Sequence, residues 1–280
     1  MKVKLNIIKA FTQDISQGNP AGIVLEADNL TEQDMINITA QSKFSECAFV
    51  QTSSQADFKI RFFTAQQEVD LCAHATIACF SVLAQQEKNS PKLFTQETRI
   101  GVLPVYCYPD GFVQMEQTQG KFIPFPHDKN KIATLLNICS SAINGPLHIV
   151  STGSPKLIIP IISLDALFSI KPDSEGIKEY CKLSGARGFY PFTQQTIEDG
   201  SDFHARQFNP LAGIYEDPVT GVAAGALGIY SKHITKFQKN TFIVEQGLLL
   251  KKFGKIVVNL TDKVLVGGYA VKVGEKEFFI

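Results

Sequence analysis

The sequence lacks an excess of charge of either sign and any long apolar run, and both absences exclude classes of function. Its 27 basic residues balance 27 acidic residues, which gives no support for a nucleic-acid-binding surface. No apolar run approaches the roughly 20 residues that a membrane-spanning helix needs. The N-terminal residues 1–9 also lack the apolar core of a signal peptide. We therefore expect a protein with no nucleic-acid partner and no membrane partner.

The sequence is equally poor in cofactor and metal motifs. It contains no Walker loop, no G-x-G-x-x-G after a strand and no G-x-S-x-G elbow. Its five histidines show no spacing typical of a metal site, so we expect neither a cofactor nor a metal. The six cysteines include no C-x-x-C pair, a pattern typical of reduced, mostly buried thiols in a cytoplasmic protein.

What the sequence does contain is apolar material in short segments. The 280 residues are 44% hydrophobic, with 21 phenylalanines and no tryptophan, enough to form one large domain or two moderate ones. Strand-like segments outnumber helical ones and come in runs rather than in strict alternation with helices. This order favours an α+β fold. We also predict a helix that begins after Thr31, a helix that ends at Gly185 and a polar loop at residues 85–91.

One stretch occurs twice. Residues 60–78 predict a strand, a turn and a helix, and residues 205–227 repeat that pattern. When Phe63 is aligned with Phe208, Cys72 falls on Asp217, at an offset of about half the chain. A repeat of this length indicates two similar halves. We place a linker within residues 118–130, which predicts domains of residues 1–120 and 121–269.

Four side chains within or near this repeat are candidates for chemistry. Glu46 lies at a loop-to-strand junction, where a carboxylate serves either as a general acid/base or as an exposed turn residue. His74 lies near a predicted helix start, where it either acts on a substrate oxygen or has a structural role. Asp217 precedes Pro218, and the simplest interpretation of this pair is a helix N-cap. Cys72 at a helix start is either a reactive thiolate or a structural residue, and the structural role is favoured because the repeat offers no second cysteine for a two-thiol racemase.

The motifs that carry a family resemblance occur in one order along the chain. They are Gly18–Gly22, Ser45–Val50, Leu71–Thr76, Ser151–Pro155, Glu216–Gly221 and Glu245–Gly247. Together they resemble the PhzF-like phenazine-biosynthesis family over nearly the whole chain. The chain departs from the family pattern at Ala73, where the family has glycine, and at Val222, where it has serine. Cys47 in place of threonine is a milder change.

The resemblance implies a diaminopimelate-epimerase-like α+β fold. That fold has two similar domains, each a curved mixed β-sheet or barrel around a central helix. Its site lies in the cleft between the domains, and the C-terminal tail, about residues 270–280, returns to the first domain. The resemblance further implies cofactor-free proton transfer on a small carboxylated substrate, in a homodimer. Motif positions imply catalytic roles for Glu46, His74 and Asp217, and substrate binding by Ser45, Ala73, Thr76, Gly221 and Val222.

Three functional hypotheses follow. In the first, the protein is an isomerase, and Glu46 takes a proton from one carbon and returns it to another carbon or to the other face. In the second, it is a non-catalytic protein that binds a small molecule or a partner on the same scaffold, as the changes at Ala73 and Val222 suggest. In the third, it is a thiol-dependent racemase that uses Cys72. The sequence does not identify the substrate.

Overall fold

The computed structural model describes residues 1–86 and 92–280, so most of the predicted loop at 85–91 lies outside the described residues. Six α-helices are described: α1 (Glu32–Ser42), α2 (Ala73–Leu83), α3 (Lys129–Leu136), α4 (Leu164–Ser169), α5 (Ser174–Ser184) and α6 (Gly221–Tyr230). The described strands are β1 (Lys2–Ala10), β2 (Asn19–Val24), β3 (Cys47–Gln51), β4 (Phe58–Phe63), β5 (Glu68–Val69), β6 (Lys92–Thr98), β7 (Gly101–Cys107), β8 (Val113–Glu116), β9 (Lys121–Ile123), β10 (His148–Ser151), β11 (Lys156–Pro160), β12 (Phe189–Thr193), β13 (Phe203–Ala205), β14 (Gln207–Asn209), β15 (Ile214–Asp217), β16 (Thr241–Gln246), β17 (Gly254–Asn259), β18 (Leu265–Gly268) and β19 (Ala270–Phe279). The predicted α+β class is confirmed.

The chain forms two compact units. The first contains residues 1–116 and 267–280, and the second contains residues 117–266. Both are mixed β structures: β2 pairs with β3 in parallel in the first unit, and β11 pairs with β12 in parallel in the second. Residues 121–123, which we predicted as part of a linker, instead form β9 and pair with β10 in the second unit.

The first unit is built around α2. Residues 73–81 of this helix are all buried, and the helix packs against β1, β2, β3, β7, β8 and β19. A helix that is apolar on all sides belongs in a protein interior. The strands supply the rest of the core, including Phe49 and Phe63, whose rings pack edge to face.

The second unit repeats this plan with α6 as its buried helix. Residues 221–228 are buried and small or apolar, and the helix packs against β10, β11 and β17. Gly225 lies against Gln117. A Cβ atom at this position would lie 2.0 Å from Oε1 of Gln117, so a larger residue would require the Gln117 side chain to move.

A matched ion pair confirms that the two halves are related. Arg61 binds Glu68 through Nε and Nη2 at 2.9 and 2.7 Å, and Arg206 binds Glu216 through the same atoms at 2.9 and 2.8 Å. Each guanidinium also lies 4.9 Å from the centre of a phenylalanine ring, that of Phe63 or of Phe208. The arginines and phenylalanines therefore correspond in the alignment that the sequence predicted.

The helices do not follow that alignment. The segment between Phe208 and the start of α6 is longer than the segment between Phe63 and the start of α2, so α6 begins later than the alignment predicts. The N-cap residues are Cys72 and Thr220. Our interpretation of Asp217 as an N-cap is thus wrong: Asp217 is the last residue of β15.

A buried carboxylate in the second unit gives its stability a pH dependence. Burial raises the pKa of Glu245. Hydrogen bonds from His204 and from the backbone amides of Ile197 and Glu198 outweigh burial, so the pKa lies below its ordinary value of 4.5. A carboxyl group with a lowered folded-state pKa stabilises the fold above its unfolded pKa. This contribution is lost as the pH falls through the folded pKa.

We expect Glu245→Gln to lose less stability than the wild type between pH 6 and pH 3, because the amide does not titrate. Urea unfolding at each pH measures this difference. Glu198→Gln is the control, since the Glu198 side chain is 49% exposed and pairs with Lys255 at the surface. An unchanged pH profile in Glu245→Gln would contradict the assignment.

Candidate active site

Glu46 is positioned by the strand that follows it. It immediately precedes β3, which is hydrogen-bonded to β2 on one side and β4 on the other. The four residues from Cys47 to Val50 are buried, so the sheet fixes the place where the Glu46 side chain begins. That side chain is 15% exposed, which leaves a nearly buried carboxylate within reach of solvent.

His74 meets this carboxylate from the start of α2. Its Nε2 lies 3.7 Å from Oε2 of Glu46, and its side chain is 5% exposed. Cys72, the N-cap residue, places its Sγ 3.3 Å from Nδ1 and 3.9 Å from Nε2 of the same ring. The structure therefore brings Glu46, Cys72 and His74 into one cluster. Sequence spacing did not predict the contact between the thiol and the imidazole.

The other predicted site residues of the first unit are close neighbours of this cluster in sequence. Ser45 is half-buried, and Ala73 is buried in the first turn of α2. Thr76 is fully buried, and its hydroxyl donates a hydrogen bond of 2.8 Å to the Cys72 carbonyl. This bond ties the N-cap to the first turn of the helix.

The two buried helices differ from the others in how they begin. The N-cap side chains of α1, α3, α4 and α5 each accept a hydrogen bond from a first-turn backbone amide. In the described part of the chain, the N-cap side chains of α2 and α6 make no such bond. The first amides of these two helices thus keep donors and a partial positive charge that suit an anion.

Asp217 belongs to the second unit and has its own hydrogen-bonded network. The Thr220 hydroxyl donates a hydrogen bond to Oδ2 of Asp217, and the Gln246 side-chain amide donates one of 2.8 Å to the backbone carbonyl of Asp217. Oε1 of Gln246 in turn accepts hydrogen bonds from Tyr190 and from the Thr220 backbone amide. Burial and the nearby charge of Asp217 both raise the pKa of Tyr190, so its hydroxyl remains a neutral donor.

Sequence reasoning missed the network's two central members, Gln246 and Thr220. The signal was the match at Glu245–Gly247, to which we had given no role. The remaining predicted residues, Gly221 and Val222, form the first turn of α6 and are buried. The Val222 carbonyl accepts a hydrogen bond of 3.1 Å from Thr152.

The first-unit cluster has the components of an acid/base site. A carboxylate and an imidazole 3.7 Å apart can exchange protons with a bound molecule that lies beside both of them. The amides at the start of α2 can hold a negative group next to that pair.

No helix in the described ranges 1–86 and 92–280 is long and apolar enough to cross a membrane.

Comparisons with known proteins agree with this picture. The family model described as phenazine biosynthesis-like protein matches residues 8–276. The chain is 37% identical over 275 residues to the uncharacterized isomerase YfhB of Bacillus subtilis, covering 94% of each chain. It superposes on the crystal structure of a Bacillus anthracis phenazine biosynthesis protein of the PhzF family with a TM-score of 0.91, at 32% identity and full coverage of both chains.

A more distant likeness bears on the fold alone. A hydroxyproline epimerase from Agrobacterium vitis matches with a TM-score of 0.66 at 10% identity, covering 99% of this chain and 91% of the other. The two chains therefore share a fold. The predicted diaminopimelate-epimerase-like α+β fold is confirmed.

Proposed function

The chain belongs to the phenazine biosynthesis-like family and is an isomerase, and from that premise we propose a cofactor-independent proton transfer on a small carboxylated metabolite. The observation that carries the proposal is the contact between the Glu46 carboxylate and the His74 imidazole, 3.7 Å apart. Both side chains are nearly buried beside a helix start whose amides lack a side-chain cap.

Glu46 is the general acid/base in this proposal. It takes a proton from a carbon of the substrate and returns it to another carbon, or to the opposite face of the same carbon. The reaction therefore needs no net oxidation and no external proton donor. The low exposure of Glu46 favours this role, because a carboxylate removed from water is a stronger base toward a bound substrate.

His74 and the start of α2 manage the charge that develops on the substrate. When the carbon loses its proton, negative charge moves toward the substrate's carboxylate or a neighbouring oxygen. The His74 imidazole donates a hydrogen bond to such an oxygen, and the uncapped amides near Ala73 stabilise the anion. Ser45 and Thr76 flank these groups as substrate-binding residues in the proposal.

The second unit contributes Asp217 and the start of α6 to the proposal. The support is the match of Glu216–Gly221 to the family motif and the hydrogen bonds that fix Asp217 beside Thr220. Gly221 and Val222 supply backbone amides of the uncapped first turn. Two further parts of the proposal have their own support. The motif resemblance supports a homodimer, and the cysteine spacing, without a C-x-x-C pair, supports a cytoplasmic location.

The substrate in this proposal is a small carboxylate of open identity, and the changes at Ala73 and Val222 weigh against the dihydro-hydroxyanthranilate that the family resemblance implies. Ala73 adds a methyl group to the turn where the family has glycine, which narrows the approach of a carboxylate to the backbone. Val222 removes the hydroxyl that a serine would supply. Both changes act on the binding turns and leave Glu46, His74 and Asp217 in place.

Deuterium wash-in tests the proposal. The wild-type protein is incubated in heavy water with a panel of cyclic and amino-acid-like carboxylates that includes the family's cyclohexadiene compound. We expect mass spectrometry to detect deuterium at carbon in one of them, because proton transfer through Glu46 exchanges the abstracted proton with solvent. Compounds that raise the melting temperature without taking up deuterium would contradict the proposal and favour a binding protein. A panel with neither binding nor label would contradict the proposed substrate class.

The thiol-racemase hypothesis has less support. A two-thiol mechanism needs a cysteine at each helix start, and the N-cap of α6 is Thr220. The single thiol at the start of α2 thus has no counterpart at the equivalent position of the second unit.

A further inference from the structure

An open groove in the second unit lies away from the candidate active-site residues. It has a volume of about 980 Å³, and all of its lining residues fall between 122 and 234. It lies beside the turn that follows the C-terminal end of α6, whereas Asp217 and Gly221 lie at the start of that helix. The ten residues of α6 separate its two ends by about 15 Å. We call it the histidine groove, and the side chains that characterise it are Phe122, Phe125, His127, Lys129, His148 and His233.

Aromatic rings and prolines form the walls of the groove. The Phe122 ring lies edge to face with the His148 and His233 rings, at centroid distances of 5.6 and 5.8 Å. Phe122 is nonetheless 38% exposed, so part of its ring remains available for a further aromatic contact. Three prolines also line the groove, namely Pro124, Pro126 and Pro146. Because each proline ring fixes φ, the backbone of these walls loses little freedom when a ligand binds.

His127 supplies an oriented hydrogen-bond donor. Its Nδ1 lies 2.6 Å from the hydroxyl oxygen of Tyr180. Burial raises the pKa of Tyr180 to about 12, so the neutral phenol donates this hydrogen bond. Burial, and then the charge of His148, lower the pKa of His127, so its ring is neutral at pH 7 and carries its proton on Nε2. The Nε2–H group is therefore the donor that His127 offers to the groove.

The charged and titratable side chains that line the groove favour an anion. Lys129 is positively charged, the histidines are donors or cations, and no aspartate or glutamate is among the described residues that line it. The nearby Asp128 carboxylate accepts a hydrogen bond of 2.8 Å from the Asn130 amide as the N-cap of α3. The Ser231 carbonyl, at the end of α6, accepts one of 2.9 Å from the Thr235 hydroxyl, which reduces repulsion from that helix end.

We propose that the histidine groove binds a flat aromatic carboxylate. The ring of the ligand packs against Phe122, and its carboxylate accepts hydrogen bonds from Nε2 of His127 and from the Lys129 ammonium group. The volume lies within the roughly 300–1,000 Å³ of small-molecule sites, which are likewise lined by apolar and aromatic side chains with a few polar groups. The proposal does not depend on the isomerase reaction, because the groove shares no residue with the cluster at the start of α2.

The compound 2-naphthoate is the probe, because it combines a flat aromatic ring with a carboxylate. Two matched compounds, 2-naphthalenemethanol and 2-naphthylmethylammonium, present the same ring with no charge and with a positive charge. The chain contains no tryptophan, so the fluorescence anisotropy of the naphthalene ring reports binding to the purified full chain without interference from indole. Circular dichroism and size-exclusion chromatography measure the folding and the oligomeric state of each variant.

Two substitutions in the groove and two elsewhere make the test specific. Phe122→Ala removes the aromatic wall, and Lys129→Gln removes a positive charge at an exposed position. Lys121→Gln is the matched control for the charge, because Lys121 is exposed in β9 next to Phe122 but does not line the groove. His74→Asn tests whether naphthoate binds at the start of α2 instead.

We expect the wild type to bind one naphthoate per chain, at least about fivefold more tightly than the alcohol, because hydrogen bonds to a charged group are stronger. The ammonium compound should not bind measurably. Phe122→Ala should weaken naphthoate binding by about tenfold or more, since aromatic contacts are among the largest contributors to binding. Lys129→Gln should reduce the preference for naphthoate over the alcohol, whereas Lys121→Gln and His74→Asn should bind as the wild type does.

Four results would overturn the proposal. Naphthoate binding that is unchanged in both Phe122→Ala and Lys129→Gln would place the ligand elsewhere, and binding lost only in His74→Asn would place it at the start of α2. An alcohol that bound as tightly as naphthoate would exclude recognition of the carboxylate. Absence of naphthoate binding to the wild type would exclude the ligand class, and a Phe122→Ala variant that then lost its oligomeric state would identify the groove as an interface between copies of the chain.

Discussion

Glu46→Gln is expected to lower deuterium incorporation by about 10²–10⁴-fold, the range that a positioned general acid or base typically contributes. Glutamine has nearly the shape of glutamate but cannot accept a proton from carbon. The strand that positions Glu46 is unchanged by this substitution, since residues 47–50 remain buried in the sheet. The loss should therefore appear in the rate of exchange rather than in folding.

Two comparisons make this test specific. Glu26→Gln, which changes an exposed carboxylate of the same unit, should leave exchange at the wild-type rate. Substrates that raise the melting temperature of the wild type should still raise that of Glu46→Gln, because the proposed binding groups remain. If Glu46→Gln exchanged deuterium as fast as the wild type, another residue would have to be the base.

Arg206→Ala should destabilise the protein by about 3–5 kcal/mol, the cost of breaking a buried ion pair by removing one partner. The Arg206 and Glu216 side chains are only 7% and 6% exposed, so Glu216 would keep a buried charge without its guanidinium. The same guanidinium donates hydrogen bonds of 3.0 Å to the carbonyls of Leu167 and Ile170. These acceptors would lose their donor as well.

The internal repeat supplies the matched control for this substitution. Arg61→Ala breaks the equivalent pair, but Arg61 and Glu68 are 20% and 12% exposed, and water can reach the groups that remain. Its expected cost is about 1–3 kcal/mol. Urea unfolding of both variants measures the difference. An Arg61→Ala variant that lost as much stability as Arg206→Ala would show that burial does not determine the strength of these pairs.

Features set by local sequence were predicted successfully. Thr31 caps α1 through a capping box with Asp34, and α5 ends at Gly185 in a left-handed conformation with φ of 78°. Such signals act within a few residues, where side-chain and backbone geometry decide the outcome. The repeat likewise predicted the two buried helices as elements, although not the residue at which α6 begins.

Features set by loop length or by contacts in space were not predictable. A single fixed offset between the halves paired Cys72 with Asp217, and the longer segment before α6 made that pairing wrong at the helices. Histidine spacing likewise gave no sign of the Glu46–Cys72–His74 cluster. Glu46 and Cys72 lie far apart in sequence, and only the packing of β3 and α2 in the same unit brings them together.

The return of β19 to the first unit has a consequence for synthesis on the ribosome. β19 pairs with β1 along residues 2–10, and Phe278 lies in the first unit's core beside Val3 and Leu5. The first unit therefore lacks a strand until residues 270–279 have emerged, although its first residues are translated first. The second unit is continuous from residue 117 to 266 and has all its strands earlier. Domains of nascent chains generally fold as units from the N-terminus, but here the later-translated unit can complete its fold first.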